Sequence, residues 1–414
     1  MDFNSYIFTK EKHLCSGCAA CVQVCKQAAL TMKEDEEGFL YPELNEDKCI
    51  RCGACIRICP EVNNIGENII QAPRCYVSTT SEEKYYKESA SIGLCTMLAE
   101  EIINEGGIVF GVYLDETVWK AYHKSVTDWR GIESIRNSKY LQSDTRKTYS
   151  EVKNYLKKGE KVLYVGTPCQ IAGLKAFLKN DYSNLYTVDI VCHGVFSPKL
   201  MPLEISYWEK KFHGKLVNFR FRSKRVYKLI NGGMVNFDII RSNGHSKHIE
   251  RHASSSPTYR AYAYSGDGIN HNLRPSCYSC SFRAKSRYGD ITIGDPWGIG
   301  DEIIKNKKLT SYNSIRSLFT TNTIKGATLI QQISKHLIFQ ELPLKESFVQ
   351  PALLPTKRTN EGKRVEIYSR IRDEEYSKVI EDVLNCDLVR SHKLFVRNYW
   401  KAVIKRCIRT IIQR

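Results

Sequence analysis

Apolar positions recur along this chain in two registers, and the switch between them outlines the elements. Short apolar runs bounded by glycine or polar residues, Lys161 to Val165 and Leu185 to Val191, read as buried strands. Between them, Gly166-Thr167-Pro168-Cys169-Gln170 opens a helix that runs to Lys179. Strand, loop, helix and strand in that order predict a parallel βαβ unit. Upstream, Cys75 to Thr80 reads as a strand. Ser91 to Glu105 reads as a helix, with apolar residues at Ile92, Cys95, Leu98, Ala99, Ile102 and Ile103 and a stop at Gly106-Gly107. Ile108 to Leu114 and Val118 to Tyr122 read as a hairpin, and Tyr149 to Lys158 as a helix. Downstream, Lys215 to His252 is β-rich, Ser256 to Tyr264 is helical and Asp290 to Ile293 is a strand. Leu318 to Glu341 carries both signals, and residues 364–414 read as two helices with a basic end.

The first 62 residues follow neither register. Short strands at Ala28 to Met32 and Gly38 to Pro42 flank an acidic turn, Glu34 to Glu37. This segment carries 7 Lys+Arg against 10 Asp+Glu, net −3, while the whole chain of 414 residues is +17. The sign asymmetry predicts a separate module. Val62 to Pro73, polar and Asn-rich, reads as a linker at 63–73. The expected organisation is then 1–62, a body at 74–353 and a helical tail at 354–414. With 42% hydrophobic and 26% charged residues, a mostly disordered chain is excluded. No run approaches the ~18 apolar residues of a spanning helix, and no signal-peptide core follows Met1, so the expected location is cytoplasmic.

Cysteine changes the picture most. Of 16 cysteines, eight lie between Cys15 and Cys59. In a reducing compartment such residues serve as metal ligands or reactive thiols more often than as disulfides. Cys15, Cys18, Cys21 and Cys25 read C-x2-C-x2-C-x3-C. Cys49, Cys52, Cys55 and Cys59 repeat the spacing, with Pro60 following. This is the two-cluster ferredoxin pattern, in which the fourth cysteine of each run serves the other cluster. Cys15, Cys18, Cys21 and Cys59 are expected to hold one 4Fe-4S cluster, and Cys49, Cys52, Cys55 and Cys25 the second. Gly17, Ala19, Ala20, Gly53 and Ala54 would let backbone amides approach the sulfurs. Zinc is the competing ligand, but it favours paired knuckles over matched runs of four. Lys26 stands where a proline is usual, either adding positive charge near a cluster or lying solvated.

Four further cysteines stay open on spacing alone. Cys277 and Cys280 form one C-x2-C, open to structural zinc or a redox dithiol. Cys169 opens a helix whose positive end would lower its thiol pKa. Cys192 ends the next strand, in front of His193. If those strands are neighbours, both thiols open at one carboxyl edge of the sheet, where ligands gather in open α/β folds. The alternative is that both are buried apolar residues. Cys75, Cys95, Cys386 and Cys407 have no spacing partner and read as core or surface residues.

The order of motifs resembles the coenzyme F-420 hydrogenase/dehydrogenase beta-subunit family, fused to its N-terminal dicluster ferredoxin domain. The resembling segments are Ser138-Lys139-Tyr140-Leu141-Gln142-Ser143, then Val165 to Lys175, Val188 to Gly194, Arg274 to Cys280, and Asp290 to Gly298. The resemblance covers about residues 10–320 and leaves the tail after Leu353 uncovered. It implies an α/β (α+β) fold, a two-cluster ferredoxin domain joined to an iron–sulfur flavoprotein domain. It also implies a third 4Fe-4S cluster on Cys169, Cys192, Cys277 and Cys280, FAD, and electron exchange with the deazaflavin coenzyme F-420. Ser91-Ile92-Gly93 departs from the Ser-Gly-Gly of relatives, and the bulk of Ile92 would crowd a phosphate or flavin there.

No G-x-G-x-x-G or Walker sequence marks a dinucleotide site. Donors for a flavin are sought instead among Ser138, Lys139, Gln142 and Ser143, and at the helix start Gly166-Thr167. The alternative for each is an ordinary surface loop. His193 is a candidate proton relay and Asp295, near Asp290 and Trp297, a candidate partner for a ribose or ring NH; a capping role is the plainer option for both. Arg220 and Arg222 alternate with Phe219 and Phe221 in a basic run through Lys224, Arg225, Tyr227 and Lys228. A strand there would put both arginines on one face, fit for an anionic substrate or for solvent. Residues 388–414 carry eight Lys+Arg and no acid, interleaved with apolar residues at helical spacing. Such a helix suits peripheral contact with the inner face of an anionic membrane, or docks on the body.

The leading expectation is an oxidoreductase whose partners are a redox protein or ferredoxin and an organic hydride donor or acceptor. A non-catalytic electron-transfer subunit is the second. A nucleic-acid-binding iron–sulfur protein, suggested only by +17, is the third.

Overall fold

The computed structural model describes residues 5–63, 73–222, 233–283, 287–310, 315–348 and 361–412, with backbone only at 402, 403 and 405–412. Most of the expected linker at 63–73, residues Lys224 to Lys228 of the basic run, and Cys407's side chain lie outside the described residues. The chain is α/β, as expected, and its described residues divide into two compact units. One lies within Met1–Lys199 and Leu273–Lys357, the other within Leu200–Val226, Gly233–Asn272 and Arg358–Arg414.

The first unit is built on a nine-stranded sheet. Its centre is four neighbouring parallel strands, in spatial order Ile108–Asp115, Val162–Gly166, Leu185–Ile190 and Ile291–Gly294. Ser317–Thr321, Arg74–Thr79 and Ile338–Leu342 continue one side antiparallel. Lys120–Val126 closes the other as a hairpin partner of Ile108–Asp115, with the short Ser143–Asp144 beside it. Val162, Leu163 and Tyr164 are all fully buried, as befits a parallel strand covered on both faces.

Alternate side chains feed two cores. Ile108, Phe110, Val162 and Tyr164 face the helices Thr148–Lys157 and Pro168–Leu178. Val109, Leu163, Val188 and Ile291 face Leu94–Asn104 and Ile324–Gln332. The expected strand–helix–strand unit is present: Pro168–Leu178 links the parallel neighbours Val162–Gly166 and Leu185–Ile190. The helix expected from Ser91 starts later, at Leu94. Gly93 holds φ +85°, and a Cβ there would stand 2.4 Å from the Tyr85 carbonyl oxygen. Ile92 itself is fully buried in the core.

The acidic N-terminal segment does not form a body of its own. Cys18, Ala20 and Ile58 join the same core as the sheet residues. Its two strands, Leu30–Glu34 and Leu40–Leu44, pair antiparallel around the expected turn. The turn meets lysines of the basic body: Lys120 pairs with Glu34, and Lys199 Nζ donates to the Glu36 carbonyl at 3.0 Å. Opposite charge, which suggested separation, here joins the module to its neighbour.

The second unit holds a three-stranded antiparallel sheet, Lys215–Arg220, Met234–Ile240 and Ser246–His252. The C-terminal segment forms three helices rather than two: Glu361–Arg370, Tyr376–Val383 and Leu388–Ile412. The last break has a local cause. Asn385 takes φ +45°, and the Asp387 carboxylate accepts from the Arg390 amide at 2.7 Å, opening a new helix. Among the described residues, no helix is long and apolar enough to cross a membrane.

Candidate metal centre

The two cysteine runs adopt the same backbone form. Gly17 and Arg51 occupy matching places in the runs and hold φ of +73° and +52°. Ala19 and Gly53 also match, at +61° and +70°. Each run thus turns through two left-handed residues and enters a short helix, Ala20–Val24 or Ala54–Arg57. Two of the four are not glycine, so the loops hold strain of ~1–3 kcal/mol per residue that their surroundings must offset. Such a turn aims successive amides and thiols inward, as a sulfur-rich cluster requires.

Thiol electrostatics show which cysteines are neighbours. Burial pushes Cys18 and Cys21 well above the usual thiol pKa, and Cys15 and Cys59 raise both further. Cys59 is pushed up to about 11, again mainly by burial, with Cys15 adding to it. Cys55 is raised by burial, with Cys49 and Cys52 adding to it. The Cys25 Sγ accepts from the Ala29 amide at 3.3 Å. Lys26 is exposed.

The other four cysteines of interest also gather. Gly166 pairs with Asp189 and Ile190 with Ile293 in parallel register, so the strands carrying Cys169, Cys192 and Asp295 end at one carboxyl edge. Gly194, at φ +120°, runs so close to Cys277 that a Cβ would stand 3.2 Å from the Cys277 Cβ. Burial raises Cys169 and Cys280 strongly and Cys277 to about 12. Cys192 and Cys277 add to the rise at Cys169, and Cys169, Cys192 and Cys277 to that at Cys280. The helix start was expected to lower the Cys169 pKa; full burial outweighs it. Among the described residues no three His, Cys, Asp or Glu side chains converge on a single-ion site.

The two sets are tied together. Glu61, two residues after Cys59, accepts from Ser281 Oγ, next to Cys280, at 2.9 Å. Arg274, fully buried, donates Nε to the Cys15 carbonyl at 2.8 Å, and its charge also reaches Cys277. Neither Glu61 nor Arg274 carries a spacing signal that would single it out in the sequence.

The expected flavin donors are placed differently from one another. Lys139 Nζ donates to the carbonyls of Ile135, Arg136 and Asn137 at 3.0, 2.6 and 3.3 Å, capping the helix Trp129–Ile135. The Ser138 amide donates to its neighbour Asn137. Gln142 and Ser143 are buried: Gln142 against the Cys15–Cys18 turn, Ser143 under Gln170 Nε2 at 3.0 Å. Gly166 ends its strand. Thr167 caps the Pro168–Leu178 helix, its amide donating to Gln170 Oε1 at 3.1 Å and its hydroxyl 3.1 Å from Cys169 Sγ. His193 is half-buried beside Cys192, and Trp297, near Asp295, is 56% exposed. Asp290 lies at the opposite end of its strand from Asp295 and binds Thr187 and Thr323 instead. Arg220 and Arg222 belong to the second unit. Arg222 is itself buried there, as are Phe219 and Phe221.

Sheet and cysteine turns define an α/β protein with a ferredoxin-type iron–sulfur part, and comparison with known proteins names the family. Residues 159–347 belong to the family formed by the C-terminal part of the coenzyme F420 hydrogenase/dehydrogenase beta subunit, and residues 14–63 to the 4Fe-4S dicluster domain. A curated relative, the coenzyme F420-dependent sulfite reductase of Methanocaldococcus jannaschii, is 26% identical over 251 residues. That match takes in 55% of this chain and 38% of the relative, so the chain spans well under half the relative's length. A chain of the F420-reducing [NiFe] hydrogenase complex of Methanosarcina barkeri, solved with xenon, superposes at a TM-score of 0.40. It is 14% identical, and the superposition takes in 77% of this chain and 93% of that one. The chain is thus an iron–sulfur protein of an oxidoreductase family.

Proposed function

We propose that the chain moves electrons between three 4Fe-4S clusters and a flavin that exchanges hydride with an F-420-type deazaflavin or another organic substrate. Cys15, Cys18, Cys21 and Cys59 would hold the first cluster, Cys49, Cys52, Cys55 and Cys25 the second, and Cys169, Cys192, Cys277 and Cys280 the third. Clusters supply one-electron transfer, and FAD the conversion to two-electron chemistry. The observation that carries the reading is the gathering of Cys169, Cys192, Cys277 and Cys280 at the carboxyl edge of the parallel strands, joined to the first set through Glu61–Ser281 and Arg274. The chain's own residues position the thiols, keep them from water and balance their charge. His193 and Asp295, at the same edge, are the candidates for holding a proton near a bound substrate.

A second reading, an electron-transfer subunit feeding a partner oxidoreductase, gains support from Lys139. Its ammonium is already occupied by three carbonyls, and Gln142 and Ser143 face the protein interior. Anaerobic purification with iron, sulfide and flavin analysis separates the two. The leading reading expects about twelve irons and one flavin per chain. About twelve irons without flavin selects the electron-transfer subunit, and about eight removes the third cluster.

We further propose peripheral contact of the helix Leu388–Ile412 with an anionic membrane surface. One side of it, at Leu388, His392 and Phe395, packs within its own unit, Phe395 stacking on His252 at 4.2 Å. Val389, Leu394, Trp400 and Ile404 remain exposed, among exposed Arg390, Lys393, Arg397 and Lys401.

A further inference from the structure

The turn from Cys15 to Cys18 is enclosed by two buried donors from distant parts of the chain. Three segments bring them there. The Gln142 amide donates to the Phe196 carbonyl at 3.0 Å, and the Phe196 amide to Tyr140 at 3.1 Å. The Arg274 amide donates to the Val195 carbonyl at 2.9 Å. This small bridge lays Gln142 and Arg274 side by side. The Gln142 Oε1 accepts from Arg274 Nη1 and from the Leu40 amide, each at 3.1 Å. Two donors fix which end of the amide is oxygen, so Nε2 must face the other way.

It faces Gly17. A Cβ on Gly17 would stand 2.2 Å from Gln142 Nε2 and 3.1 Å from the Arg274 Cζ and Nη1. Gln142 is 4% exposed and Arg274 is fully buried, yet neither Gln142 Nε2 nor Arg274 Nη2 has a hydrogen-bond partner among the described residues. A buried donor left without an acceptor costs ~1–3 kcal/mol, more when charged. Two of them aimed at one cysteine turn mark where an acceptor belongs. The guanidinium also stands over the Tyr41 ring, 4.0 Å from its centroid, which holds it in place.

We propose that Gln142 Nε2 and Arg274 Nη2 donate hydrogen bonds to sulfur atoms at the Cys15–Cys18 face of the first cluster, and so raise its reduction potential above that of the second. Both are positioning residues acting through the cluster. Reduction adds negative charge to the cluster, and donors and a buried cation favour the reduced form. The second run has Ile50 and Arg51 at the corresponding places, with Ile50 65% exposed, so its turn is open to water where the first is enclosed. Electrons would then settle on the first cluster, beside Cys169 and Cys277. The inference rests on the ferredoxin part of the proposed function and on neither flavin nor substrate.

The test is an EPR-monitored redox titration of the cluster-loaded full chain. Gln142→Glu keeps the acceptor oxygen and replaces the donor with a charge; Gln142→Met removes both. Each is expected to lower one cluster's midpoint by about 59 mV, a tenfold change in its one-electron equilibrium, and to leave the others unmoved. Unchanged midpoints in variants with full iron overturn the proposal, as does an equal shift of every cluster. Wild-type chain labelled with 15N-arginine gives a reading independent of variant folding. An arginine nitrogen coupling on one reduced cluster by pulsed EPR is expected, and its absence overturns the role of Arg274. Failure of the ferredoxin reading would look different: wild-type iron below about eight per chain.

Discussion

Gly173 lies against Cys18 with no room for a side chain: a Cβ on Gly173 would stand 2.9 Å from the Cys18 Cβ and 3.0 Å from its Sγ. The helix Pro168–Leu178, which opens with Cys169, thereby leans directly on the first cysteine turn. Tyr149 secures the same spot, its hydroxyl donating to the Gln170 carbonyl at 2.9 Å. Thr145 adds a bond to the Cys18 carbonyl at 3.2 Å. One helix thus touches two cysteine sets, which brings the sets together without a dedicated connector.

Gly173→Ala is expected to destabilise the chain by ~1–3 kcal/mol through overpacking. Gly173→Leu is expected to displace the Cys18 thiol and reduce bound iron by about four per chain, one cubane's worth. Iron analysis and EPR spin counting of anaerobically purified variants check this. Full iron retention in Gly173→Leu would show that Cys18 is free to move without penalty, contrary to the packing described.

Asp189 anchors the strand that leads to Cys192. It is fully buried and pairs with Arg287 at 3.2 Å, while its other oxygen accepts the Tyr288 and Gly289 amides at 3.1 Å each. Removing one member of such a pair leaves a buried charge uncompensated, at a cost of ~3–5 kcal/mol. Asp189→Asn is expected to lower the urea midpoint markedly. Asp189→Asn combined with Arg287→Met is expected to recover part of the loss, because the stranded cation is gone. A double variant no better than the single one would deny the coupling.

Much of this was legible in the sequence for local reasons. The run at Val162–Gly166 is fully apolar and ends in glycine, and the cysteine spacing repeats without interruption, so both declare themselves within a few residues. What stayed hidden depends on long-range placement. Gln142 meets Gly17 only because Tyr140, Val195, Phe196 and Arg274 bridge three distant segments. Lys139 reads as a donor available to a ligand, yet the end of the preceding helix supplies three carbonyls for it. Arg222 reads as half of an exposed basic face, yet it is buried in a unit of its own. Charge balance misled in the same way: the acidic turn at Glu34 to Glu37 is neutralised by lysines that lie far away in sequence.

His123 gives the chain an acid-sensitive element. It is 1% exposed, stacks on Tyr164 at 5.3 Å, and burial pushes its pKa down to about 4. In the unfolded chain it titrates near 6.5. Between those values the unfolded state binds the proton and the folded state does not, so stability is lost as pH falls from about 6.5 to 4. The loss amounts to ~3 kcal/mol at most. His123→Phe keeps the ring stack and removes the titration. The difference in unfolding free energy between pH 7 and pH 4.5 should therefore be smaller in the variant than in wild type. An identical difference would assign the acid sensitivity elsewhere, with His252 and His392, both pushed down to about 4, the next to test.

The C-terminal helix is expected to bind vesicles containing phosphatidylglycerol or phosphatidylserine and to ignore neutral phosphatidylcholine. Each Lys or Arg near an anionic surface contributes ~1 kcal/mol, and exposed apolar side chains such as Trp400 add burial in the interfacial layer. Co-sedimentation at low salt should fall steeply toward 1 M, where the Debye length shrinks to ~3 Å. Lys393→Glu with Arg397→Glu should abolish binding. Trp400→Ala should weaken it without removing the salt dependence. These three positions are exposed, so their substitution leaves the packed side at His392 and Phe395 intact. Equal partition onto neutral and anionic vesicles would rule out charge as the driver, and no partition onto either would leave the helix to its contacts within its own unit.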